Sequence, residues 1–351
     1  MINQMRIIIF WVLSILLTLF LSRCKEKETQ QPGTDLHKNT GVFVANEGTF
    51  TFGNASLHYI NLTNDSLNTN SDIFKQVNGR PLGDIFQSMA LIDDKLWLVV
   101  NNSGKIEVIE PKTGVSVKTI KGLRSPRYAL KVNPNKVYVS DLYSQSIQCI
   151  DPLTMTVTGS IRCSGWTEEM LLFDGLVWVC NHDRNYVYII DPEKDQVTDS
   201  IYVAFGGSSI LSDKHGMIWL LCSGDELKNK TGGLFGINPK DKKIAHAIYF
   251  DNSAFNPVKL KQNPEQDSLY FVYKGIYALS KSGKALPQIA FVSQPTGSSF
   301  YGLAINSTTG DLLVADALDY QSKGYVRLYS SSGAYIKKYQ VGVVPGEFLF
   351  W

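Results

Sequence analysis

The chain has 351 residues, 44% hydrophobic, 11% aromatic and 19% charged, with 28 glycines. That is a globular composition and excludes intrinsic disorder as its general state. Lys and Arg number 34 against 32 Asp and Glu; with no basic surplus and no basic stripe, nucleic acid is excluded as a partner.

The chain opens on Arg6 and an apolar run from Ile7 to Leu21, shorter than the roughly 20 residues a bilayer-spanning helix needs. Basic start, apolar centre and processing site describe a secretory signal peptide over residues 1–23. Its end, Leu21-Ser22-Arg23-Cys24, resembles a bacterial lipobox with Cys24 as the lipidated residue. Arg23 departs from the small residue usual before that cysteine, and an uncleaved anchor helix is the alternative. Either way the rest of the chain leaves the cytoplasm and stays tied to a membrane. Residues 24–40 comprise Cys24 and KEKETQQPGTDLHKNT, with little to bury, and are expected to be a tether reaching roughly 20–24 Å. Lys25-Glu26-Lys27-Glu28 resembles the tags of lipoproteins sent to the outer cell surface in some Gram-negative bacteria; a solvated linker would look the same.

From residue 41 the chain repeats itself at about 41 residues. Lys95–Asn101 leads to Lys105–Pro111, Lys136–Asp141 to Ser146–Pro152, and Leu176–Asn181 to Tyr186–Pro192, with a looser fourth copy around Ile218–Leu220 and Leu234–Pro239. Runs rich in Val, Ile, Tyr and Trp between turn residues are strands, and the Asx-Pro pairs end them. A further strand follows in each unit, at Val115–Ile120, Thr156–Ile161, Gln196–Tyr202 and Lys243–Phe250. Aligning second strands gives Phe43, Trp97, Tyr138, Trp178, Trp219, Tyr270 and Leu313, seven units over residues 41–351. Four antiparallel strands per unit, repeated seven times, predict an all-β, seven-bladed β-propeller. The first unit opens with second-strand sequence, and Val344–Trp351 matches the first strand beginning Ser125-Pro126. The C-terminal strand is therefore expected to join the first blade and close the ring.

In such a ring, the loops entering each inner strand and those between second and third strands open on one face. The inner loops carry Phe86, Tyr128, Trp166, Phe255, Tyr301 and Phe348, with Gln87 and Arg127 beside them; the outer loops add Phe52, His182, Asp183 and Tyr320. Flat rings among amide and hydroxyl groups suit a large ligand with apolar faces and polar edges, so these twelve are the candidate ligand-binding residues. The competing reading is that half of the rings simply pack between blades. The long outer loops Asn46–Ala55, Ser223–Gly232 and Asp316–Gly324 are of a length that is usually functional.

Catalytic groupings are sparse. The five histidines show no metal-ligand spacing, and only His182 falls in a loop on this face. Glu168-Glu169 resembles a carboxylate pair, but neighbours on a strand point to opposite faces, so at most one is expected at the central cavity. Asn46, Asp141, Asn181 and Asp316 end second strands and read as turn starters rather than Ca²⁺ ligands. Cys149, Cys163, Cys180 and Cys222 have no zinc-type partner, and no catalytic residue, metal or cofactor is expected.

Units of the form KLWLVVNNSGKIEVIEP and KVYVSDLYSQSIQCIDP resemble the YncE-like seven-bladed propellers. The opening GVFVANEGTFTFGNASLHYIN after the cysteine is similar to a narrower group, the BtuG-like surface lipoproteins that capture cobalamin. The narrower resemblance implies an outer-membrane, lipid-anchored protein facing the cell exterior. It would bind cobalamin (vitamin B12) or a related corrinoid as a ligand and pass it to a TonB-dependent outer-membrane transporter. The alternatives are a hydrolase or lyase resembling the gluconolactonase-like or streptogramin-lyase-like propellers, with His182 or Glu168 as acid or base, and a surface scaffold for another nutrient.

Overall fold

The computed structural model describes residues 36, 40–68 and 71–351; the signal peptide, Cys24 and the tether up to residue 35 lie outside them. Among the described residues the chain forms seven antiparallel sheets arranged as a seven-bladed β-propeller, six sheets of four strands and one of three. Second strands such as Lys95–Val100, Lys136–Asp141 and Leu176–Asn181 are buried almost throughout because a neighbouring blade covers each face. Outer strands such as Thr156–Arg162 and Gln196–Tyr202 are largely exposed.

The apolar interior is divided into seven wedges, one between each pair of adjacent blades. The aligned aromatics explain this. Trp97, Tyr138, Trp178 and Trp219 each fill such a wedge, and large rings are what a space widening away from the axis requires.

The ring closes as the repeat predicts. Pro345–Phe350 pairs with Gly41–Asn46, Val42 opposite Phe350 and Val44 opposite Phe348. The amides of Thr40 and Gly41 both donate to the Trp351 carbonyl at 3.1 Å, and Trp351 is buried against Phe43 at a ring-centroid distance of 6.3 Å.

The first blade departs from four strands. After Ser56–Asn61 the chain makes a 3₁₀ turn at Asp65–Leu67 and helix α1, Ile73–Asn78. The intervening segment is crowded with Asn, Asp, Ser and Thr, which favour turns and caps over a ladder. Side chains take over the missing strand's acceptors: Leu57 N donates to Asp72 Oδ1 at 3.2 Å and Asn61 N to Asn68 Oδ1 at 2.6 Å. Asp72 also caps α1, accepting from Phe74 N at 3.1 Å, and Gly79 ends the helix in the left-handed region at φ +65.

Candidate functional site: a charged throat built from seven bulges

Every inner strand carries one extra residue against its neighbour near its upper end. The register shifts fall between Phe86 and Ser88, Pro126 and Ala129, Thr167 and Met170, Gly207 and Ser209, Val258 and Lys261, Phe300 and Gly302, and between Pro345 and Glu347. A bulge turns a side chain out of the normal alternation, and six of the seven, all at one level, turn theirs onto the ring axis, the seventh falling at Gly346. Gln87, Arg127, Tyr128, Glu168, Ser208, Lys259 and Tyr301 thus meet around a cavity of about 190 Å³, which Glu47, Trp166, His182, Ser209, Ser223 and Val258 complete. A second chamber of about 200 Å³ lies along Glu169 and Glu347, and Tyr128 lines both.

The throat is a set of buried charges. Arg127 Nε donates to Glu168 Oε1 at 2.9 Å, and its Nη1 hydrogen-bonds Gln87. Trp166 Nε1 bonds the same Glu168 oxygen, and Arg127 lies 5.4 Å from the Trp166 ring centroid. Lys259 Nζ donates to Glu347 Oε2 at 2.8 Å. Tyr301 donates its hydroxyl to the Glu47 carboxylate at 3.1 Å. Burial raises the pKa of Glu47, only partly countered by Lys259 and Arg127, and burial likewise raises Glu169. For Lys259 burial works toward deprotonation, but Glu347 and the other acids prevail and hold it well above the ordinary lysine value. Glu47 beside it, with burial, keeps the Tyr301 phenol protonated.

The loops above are latched by the residues that end second strands. Asp141 accepts from Ser125 N at 2.7 Å and from Tyr143 N and Ser144 N; Asp316 accepts from Ser299 N at 2.8 Å; Asn181 donates to the Ser164 carbonyl at 2.7 Å. Asn46 bonds the Ser56 carbonyl and His58. Asp141 and Asp316 thus serve turns, with Asp316 also paired with Arg327, and Asn46 serves the neighbouring strand. Among the described residues no three His, Cys, Asp or Glu side chains gather as a cation site. The four described cysteines are buried free thiols, and burial pushes Cys149 up to about 11 and Cys163 up to about 12, leaving neither as a nucleophile.

A family model described as "Domain of unknown function (DUF5074)" matches residues 40–350, the whole propeller. The chain belongs to the DUF5074 family. No curated protein matches it. Among solved structures it is similar to a quinonprotein alcohol dehydrogenase-like protein from Bacteroides thetaiotaomicron, at 16% identity and TM-score 0.69, covering 89% of this chain and 78% of that one. It is also similar to a Bacteroides fragilis protein named for 6-phosphogluconolactonase, at 13% identity and TM-score 0.67, covering 89% and 98%. A third is virginiamycin B lyase from Staphylococcus aureus, at 12% identity and TM-score 0.58, covering 74% and 87%. At these identities the likeness is one of fold, and it supports the YncE-like resemblance at that level.

Within this DUF5074 propeller the structure sorts the twelve candidate residues into three groups. Gln87, Arg127, Tyr128, Trp166, His182 and Tyr301 line the throat. The His182 ring lies 4.2 Å from that of Trp166. Asp183 holds the loop, accepting from Trp166 N at 3.0 Å, while Phe52 stands exposed at a loop tip and Tyr320 packs edge-on against Tyr301. The remaining three are corrections. Phe86 and Phe348 are buried in blade-to-blade wedges, and Phe255 packs against Phe250 and Tyr273, 4.7 and 4.1 Å between ring centroids. Phe86 and Phe348 stand one and two residues from the bulge, on the side of the strand that faces the next blade, and Phe255 lies in the loop before its inner strand.

The carboxylate pair is a further correction. Glu168 and Glu169 both reach the axis, one in each chamber, because the bulge between Thr167 and Met170 breaks the alternation that would have separated them. Glu47, Lys259 and Glu347 were not singled out from sequence. Their only sequence signal is position: Lys259 and Glu347 stand at or beside the bulge residue when the seven inner strands are aligned. Glu47 occupies the space left by Gly346, where a Cβ would come within 3.0 Å of Glu47 Oε1.

Proposed function

We propose that this protein is a non-enzymatic capture module, lipid-anchored through Cys24 at the outer membrane and facing the cell exterior. Its cargo is a bulky amphipathic nutrient, a corrinoid such as cobalamin in the first instance, which it passes to a TonB-dependent outer-membrane transporter. One observation carries this reading: the loops between second and third strands raise exposed apolar side chains around the charged throat. Phe50 and Phe52 are 63% and 74% exposed and Leu227 is 99% exposed, with Tyr143 and Tyr320 on two further loops of the same set. Exposed apolar tips around a polar centre suit a broad ligand with apolar faces and a polar fringe. At about 190 Å³ the throat is smaller than a typical site for a whole ligand, so a macrocycle would rest on the loop tips with one edge reaching in.

The competing hydrolase or lyase reading needs His182 or Glu168 for proton transfer. Glu168 is engaged by Arg127 and Trp166, and His182 lies against the Trp166 ring, an arrangement that serves contact better than proton transfer. Calorimetric titration of the full-length chain in detergent with cyanocobalamin should give sub-micromolar binding. Phe52→Ala and Trp166→Ala should each weaken it about tenfold, as expected for aromatic anchors. No heat of binding at micromolar concentrations would remove the corrinoid from this reading.

A further inference from the structure

The throat holds two buried groups of opposite charge, each with bonding capacity to spare. Lys259 Nζ, which carries three donors, makes one hydrogen bond among the described residues, to Glu347. Among the described residues, the Glu47 carboxylate receives one donor, the Tyr301 hydroxyl. Lys259 and Glu47 feel each other's charge, yet among the described residues they form no ion pair with one another. Arg127 offers less, being committed to Glu168 and Gln87. The backbone of Lys259 is held in the left-handed region at φ +60, a conformation unfavourable for lysine that the bulge imposes while aiming its ammonium at the axis.

We propose that the throat receives an uncharged primary carboxamide arm of the captured ligand, its carbonyl oxygen accepting from Lys259 and its NH₂ donating to Glu47. A group that accepts on one side and donates on the other fits this pair, and a carboxamide does both without charge. Charge balance favours a neutral guest. Four carboxyl groups, Glu47, Glu168, Glu169 and Glu347, face Arg127, Lys259 and Lys261; the set is neutral when one carboxyl carries a proton, and burial disfavours the charged forms of Glu47 and Glu169. An added buried ion would have no counter-charge of its own. The rings of Tyr128, Trp166 and Tyr301 and the side chain of Val258 supply walls for the arm's apolar stem. The assignment rests on the capture reading in that the arm belongs to a larger ligand, but its chemistry can be tested without that ligand.

Propionamide, propionate, propylammonium and glycine are titrated separately against the full-length chain by saturation-transfer NMR. Propionamide should bind about tenfold more tightly than each of the other three, and Lys259→Met or Glu47→Leu should weaken it about tenfold, while Glu47→Gln, which keeps an acceptor, stays within about threefold. Circular dichroism shows whether a variant has folded; if one has not, the wild-type ranking decides alone. A charged probe binding as well as propionamide, or propionamide indifferent to both folded variants, overturns the assignment. Cyanocobalamin binding without propionamide binding removes the throat assignment and leaves capture standing. Propionamide binding without cyanocobalamin binding does the reverse.

Discussion

His58 sits buried on the second described strand of blade one, its Nδ1 3.0 Å from Asn46 Nδ2. Burial, with Lys323 nearby, lowers its pKa to about 4 from 6.5. The unfolded imidazole takes up a proton below 6.5 and the native one only near 4. The contribution of neutral His58 to stability is therefore complete above pH 6.5 and drains away as pH falls toward 4, amounting to about 3 kcal/mol. Glu47 and Glu169 act in the opposite sense. Their raised pKa values give stability that is present at low pH and lost as pH rises through the native values. Comparing urea unfolding of wild type and His58→Gln isolates the histidine: the stability difference between the two should shift by about 3 kcal/mol between pH 7 and pH 4. A difference that stays constant with pH contradicts the assignment. At this scale the sequence was only partly legible. Tyr128, Trp166 and Tyr301 stand out as loop aromatics, with Arg127 as a polar neighbour, but nothing in the sequence separates Lys259 from a lysine on a solvated strand face.

At the scale of elements, the repeat made most strands readable, because Val, Ile, Tyr and Trp recur between Asx-Pro turns and each blade repeats the same pattern of burial. The fourth position of blade one was not readable as a helix. Ile73–Asn78 is too short to show a period, and it is held by Asp72 at its start and by burial of Ile73 and Phe74 in the wedge between blades one and two. Asp72 thus joins the helix cap to the unpaired edge of Ser56–Asn61. Asp72→Ala should cost about 1–2 kcal/mol in chemical denaturation and raise amide exchange at Leu57 more than elsewhere. Unaltered protection at Leu57 would show that the edge does not depend on this carboxylate. The seven bulges belong to this scale too. Composition does not announce them, since each is one residue added to a strand that still reads as a strand.

At the scale of the whole molecule, stability is shared among seven wedges, and the seam inside blade one, between Pro345–Phe350 and Gly41–Asn46, is the one place among the described residues where neighbouring strands of a sheet are not consecutive in the chain. Removing residues 345–351 takes away the inner strand of blade one and Trp351 from its wedge. It also exposes the pairing edge of Gly41–Asn46. The truncated chain should lose its single cooperative unfolding transition and self-associate in size-exclusion chromatography. A monomer melting at the wild-type temperature would mean that the ring holds without its seam.

Sequence alone determined the blade number, the strand order and the closure by the C-terminal strand, because each follows from a repeat and from complementary fragments at its two ends. It also placed six of the throat's side chains on the correct face. Tertiary structure decided which side chains meet on the axis. A bulge changes the direction of a side chain without changing its residue type, so the joining of Glu168 and Glu169, the turning of Lys259 inward and the seating of Glu47 beside Gly346 exist only once seven strands stand around one centre. The same holds for Phe86, Phe255 and Phe348. Whether a ring at a loop's edge faces a ligand or the next blade depends on the blade beside it.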